Sequence, residues 1–142
     1  MKIKISLIFF AVSLSTTVNA APDIKAGLWE INSSSEIQGL PVAMPPIEHK
    51  ATECLSKDKS LDPKKLLQNE HCEIPTMNDA GNTISWTMNC EQQGIKMTGN
   101  GTVTYQNTSM TGNFTMNMSG DSAAGGMKMK TTLTGRYIGA CK

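Results

Sequence analysis

From Cys72 onward nearly every second residue is apolar. Ile84, Trp86, Met88 and Cys90 alternate with Thr83, Ser85, Thr87 and Asn89, and Ile95, Met97, Val103 and Tyr105 continue the apolar set. Met110, Phe114, Met116 and Met118 then alternate with Thr111, Asn113, Thr115, Asn117 and Ser119, and Met127, Met129, Leu133 and Tyr137 with Lys128, Lys130, Thr132, Thr134 and Arg136. A period of two is the mark of strands with one buried and one wet face. The run Gly99-Asn100-Gly101 interrupts the pattern, and we expect a bulge or sharp bend there. Upstream, residues 27–37 read as a first strand, with Trp29 and Ile31 opposite Glu30 and Asn32. A loop over 39–47 carries Pro41, Pro45 and Pro46, and 49–55 is a second strand. Residues 58–68 change character: Leu61, Leu66 and Leu67 stand among lysines, and Asp62 before Pro63 is a start signal for one short helix.

About seven strands joined mostly by short turns predict an all-β, antiparallel up-and-down meander. A flat sheet of this kind would leave its apolar face in water. We therefore expect it to curl into a barrel or half-barrel, or to fold over as a sandwich, with the helix plugging one end.

The first twenty residues stand apart. Lys2 and Lys4 precede an apolar run over 5–14, and Val18-Asn19-Ala20 follows, the pattern of a signal peptide cut after Ala20. The run is short of the roughly 20 residues that span a bilayer, so we expect no membrane span, and a single domain over 21–142. That domain carries 11 Lys and Arg against 12 acidic residues, too balanced and too unclustered for nucleic acid or an anionic membrane to be its main partner. Only 18 of its 122 residues are Leu, Ile, Val or Phe, whereas 9 are Met. Disulfides and methionine must supply what bulky aliphatics do not.

Cys54, Cys72, Cys90 and Cys141 allow three pairings. Residues 78–82 form a turn signal midway between Cys72 and Cys90, and a hairpin about it places Cys72 beside Cys90, Ile74 beside Met88 and Thr76 beside Trp86. Cys72 is thus expected to bond Cys90, leaving Cys54 for Cys141. No Cys-x-x-Cys occurs and no spacing fits a zinc site, so the cysteines read as structural.

Two readings compete for Met116, Met118, Met127 and Met129, which lie at strand period on either side of one turn. Thioethers are soft ligands that select Cu(I), which makes a copper-handling protein the alternative function. The reading we favour is that they share the interior face with Trp29, Trp86 and Met88, where methionine fills irregular gaps. His49 shares a strand face with Glu53 alone, which is a poor metal site. The sequence has no nucleophile elbow, phosphate loop, dinucleotide fingerprint or HExxH, so no cofactor and no catalytic constellation is expected.

Gly27-Leu28-Trp29-Glu30, Met44-Pro45-Pro46, Thr52 with Cys54, Cys72, Gly81-Asn82-Thr83 with Ser85-Trp86-Thr87 and Cys90, Gly101-Thr102-Val103-Thr104-Tyr105, and Gly135-Arg136-Tyr137-Ile138-Gly139 before Cys141 together resemble the bacterial secreted family catalogued as domain of unknown function 3617. Ala140 and the Met-rich hairpin depart from that pattern. The resemblance implies a Gram-negative envelope protein, located in the periplasm, and no activity. The function expected is a non-catalytic binding or interaction module for a hydrophobic small molecule or an envelope protein.

Overall fold

The computed structural model describes residues 22–56, 71–120 and 126–142, which form seven β-strands and contain no helix. They are β1 (Gly27–Gln38), β2 (Ile47–Leu55), β3 (Cys72–Ala80), β4 (Thr83–Gln92), β5 (Ile95–Gln106), β6 (Ser109–Ser119) and β7 (Met127–Gly139). The expected helix over 58–68 lies outside the described residues, as do residues 121–125 of the turn before β7.

All pairings are antiparallel, and the strands make one sheet in the order β2-β1-β7-β6-β5-β4-β3. Its edges, β2 and β3, do not pair with each other. The expected barrel closure is therefore absent, and with one sheet there is no sandwich. The chemistry of β3 explains the open edge. Its ladder to β4 shifts register between Glu73 and Thr76, and Pro75 within that bulge has no N–H to offer a further strand. The other edge exposes Glu48, His49, Lys50 and Glu53, charges that discourage pairing.

The same bulge changes one hairpin contact set. Cys72 opposes Cys90, but Thr76 opposes Thr87 and Met77 opposes Trp86, so the expected pairs Thr76 with Trp86 and Ile74 with Met88 do not form. Thr76 and Thr87 instead join their hydroxyls at 2.7 Å. Disulfides link Cys72 with Cys90 and Cys54 with Cys141, with Cα separations of 4.0 and 5.8 Å. The second bridge reaches across β1, since Leu28 is flanked by Cys54 on β2 and Gly139 on β7.

The run from Gly99 to Gly101 also differs from expectation. β5 passes through it straight, in unbroken register with β4 and β6. Glycine is required there by crowding: a β-carbon at Gly101 would collide with the Trp86 indole. Gly135 on β7 likewise accommodates the Met110 side chain. Large side chains on one strand lie over glycines on the next, which lets few bulky residues cover much of the sheet.

One end of the sheet is closed by the segment before β1. Ile24 bridges Asn107, the Lys25 N–H donates to the Asn107 carbonyl at 2.8 Å, and the Asn107 N–H donates to the Asp23 carbonyl at 2.7 Å. The Asp23 N–H also donates to the Asn82 side-chain oxygen at 2.9 Å. Its Ile24 joins Trp29, Ile31, Leu55, Ile84, Val103, Tyr105 and Met110 in one core cluster. On the outer face Glu30 joins three strands, with Lys50 at 2.8 Å and Arg136 at 3.0 Å. The hydrogen bond from Lys50, then that from Arg136, holds its carboxyl below the ordinary range.

Candidate functional site

The strand registers arrange the inner face as parallel rows running across the sheet. The first is Tyr105, Met110, Gly135 and Ile31, from β5 through β6 and β7 to β1. The second is Ile84, Val103, Gly112, Leu133 and Ser33. The third is Trp86, Gly101, Phe114, Thr131 and Ser35, and the fourth Met88, Gly99, Met116, Met129 and Ile37. The last consists of sulfur-bearing residues alone: Cys72, Cys90, Met97, Met118 and Met127.

Burial falls along this series. Every member of the first row is buried, and Trp29 and Tyr105 have no exposure at all. In the last two rows Met88 and Cys90 are buried, but Met97, Met116, Met118, Met127, Met129 and Ile37 are all partly exposed. Trp86 and Phe114, stacked 20° apart with centroids 6.5 Å from each other across Gly101, mark the transition. The inner face is thus closed at the Trp29 end and, from β5 through β6 and β7 to β1, open at the methionine end.

This divides the residues that the sequence placed on one face. Trp29 belongs to the closed end: its indole N–H donates to the Lys25 carbonyl at 2.9 Å, and Tyr137 meets it edge-on at 6.4 Å. Met88 is also interior, at 2% exposure. Trp86, Met116, Met118, Met127 and Met129 lie on the open part, with Met116 opposite Met129 and Met118 opposite Met127. Met97 belongs with them and was not singled out by sequence reasoning. The signal was available in the turn at Asn107, because a β5–β6 hairpin centred there puts Met97 opposite Met118.

Where β3, β4 and β5 meet at this end, a solvent-open cleft of about 430 Å³ is lined by His71 and, from the polar face, by Glu73, Asn89, Glu91, Lys96 and Thr98, and reaches Cys90 and Met97. The cleft is mixed in polarity, unlike the methionine rows. Among the described residues no three His, Cys, Asp or Glu side chains come together as metal ligands, and His49 and Glu53 stand on the exposed edge strand. No described helix is long and apolar enough to cross a membrane.

No curated protein and no solved structure matches the chain. A family profile does, over residues 24–141, from the bridge that closes the sheet to the second partner of the Cys54–Cys141 disulfide. The chain belongs to that family, described as Protein of unknown function (DUF3617).

Proposed function

We propose that the protein is a non-catalytic binding module that holds an apolar small molecule against the open, methionine-lined end of its sheet. The observation that carries this is the burial gradient: side chains of the same apolar type are sealed at one end of a single face and left in contact with water at the other. Water-exposed apolar area of this kind is unfavourable unless something covers it. Its size selects the occupant. From the Trp86 row to the Cys90 row is about 14 Å, and from β4 to β1 about 19 Å, by standard strand dimensions. The area is far below the roughly 800 Å² that each partner contributes to a stable protein interface, so a small molecule suits it better than an envelope protein. Methionine suits such a role because its unbranched, polarizable side chain adapts to the shape laid on it. The two disulfides fit an oxidising, exported setting, and the leader-like first twenty residues point to the periplasm as the compartment.

Fluorescence titration with the neutral apolar dye Nile red tests the reading. The unaltered protein should enhance the dye with saturation at about one site per chain, and Met118→Lys, which puts a charge in the last row of the patch, should weaken binding about tenfold or more. Equal binding by Met118→Lys would reject the site.

A further inference from the structure

We propose that the row formed by Met97, Met118 and Met127 is a Cu(I) site. These residues are direct cross-strand neighbours on β5, β6 and β7, one per strand, on the same face of the sheet. Opposed side chains in such a ladder have β-carbons about 4.5 to 5.5 Å apart. Three rotatable bonds in each methionine then allow three sulfurs to converge on one ion lying above the central strand. Met116 and Met129, the facing pair one row away, stand ready as further thioether donors.

The donor set determines the metal. The row contains no imidazole, carboxylate or hydroxyl, and its remaining members, Cys72 and Cys90, are bonded to each other. Among the described residues there is no free cysteine. Neutral thioethers without harder partners favour Cu(I) over Zn(II), Cu(II) or Mg(II). Exposure separates these methionines from those that merely fill space. Met88 and Met110 are each 2% exposed, whereas all three members of the row are partly exposed. The site uses the same open face as the apolar ligand but is independent of it, since it depends on sulfur and the ligand depends on apolar area.

The test is competition for Cu(I) between the disulfide-bonded mature protein and bicinchoninate, under anaerobic conditions with ascorbate, which leaves disulfides intact. About one equivalent should be withdrawn from the chelator, and Met118→Leu and Met127→Leu should each weaken copper binding about tenfold or more. Met77→Leu, on edge strand β3 opposite Trp86 and two rows from Met97, should change nothing. Leucine keeps the volume and apolarity of methionine, so Nile red binding should persist in both row variants, which separates loss of copper from loss of the apolar site or of the fold. Copper binding by Met118→Leu and Met127→Leu equal to that of the unaltered protein, or none by the unaltered protein, would overturn the assignment. Titration of methyl-13C-methionine protein with Ag(I), a redox-inert substitute, needs no variant. Shifts should concentrate at Met97, Met118 and Met127, and shifts confined to Met44 and Met77, or none, would overturn the proposal equally.

Discussion

Replacing Trp29 with alanine is expected to reduce the free energy of unfolding by about 3 to 5 kcal/mol, the range for removing a large aromatic from a packed interior. Three features place it at the high end. The side chain has no exposure, it sits where β1 meets both β2 and β7, and its indole N–H is satisfied by the Lys25 carbonyl. Alanine would leave a cavity against Tyr137 and free the carbonyl that anchors the closing segment, so Ile24 and its bridge to Asn107 should loosen as well. Since natural domains have about 5 to 15 kcal/mol in total, the variant should be close to unfolding at 37 °C. Urea denaturation followed by Trp86 fluorescence checks this. Trp86→Ala should cost clearly less, because that side chain is partly exposed already.

The second large effect is expected from Cys54→Ser with Cys141→Ser. The lost bridge closes a segment of separation 87, for which loop-closure entropy gives between about 4 and 5 kcal/mol, against about 3 kcal/mol for Cys72–Cys90 at separation 18. It is also the link that ties edge strand β2 across β1 to the end of β7. Without it β2 should fray first, giving faster amide exchange over Ile47–Leu55 while β5 and β6, flanked by strands on both sides, keep their protection. A melting temperature equal to that of the Cys72→Ser, Cys90→Ser variant would contradict the ranking.

Strand content and facing were legible in the sequence because Thr, Asn and Lys alternate with Met, Ile and aromatics almost without error from Thr83 to Tyr137. Closure was not. A period of two says which side is apolar but is silent on whether the outermost strands meet, and here a bulge at Glu73 to Thr76, signalled in the sequence by Pro75 alone, keeps β3 an edge. Gly99 and Gly101 misled for a related reason. Glycine in a strand marks either a bend or a close neighbour, and only the register with Trp86 shows that it is the second. The alternation shows the candidate residues as one face and does not divide that face into two halves. Met88 and Met118 occupy equivalent positions in an alternating pattern, and their difference in burial comes from packing that alternation does not encode, Met88 lying over Gly99 on the neighbouring strand. Met97 was within reach, since its partner follows from the turn at Asn107.

One end of the inner face is sealed and the other open, and methyl accessibility measures that difference residue by residue. On methyl-13C-methionine protein, a soluble gadolinium chelate should broaden the methyl signals of Met97, Met116, Met118, Met127 and Met129 strongly while leaving Met88 and Met110 sharp. Uniform protection of all seven would show a face closed throughout and would contradict the open end on which the binding role depends.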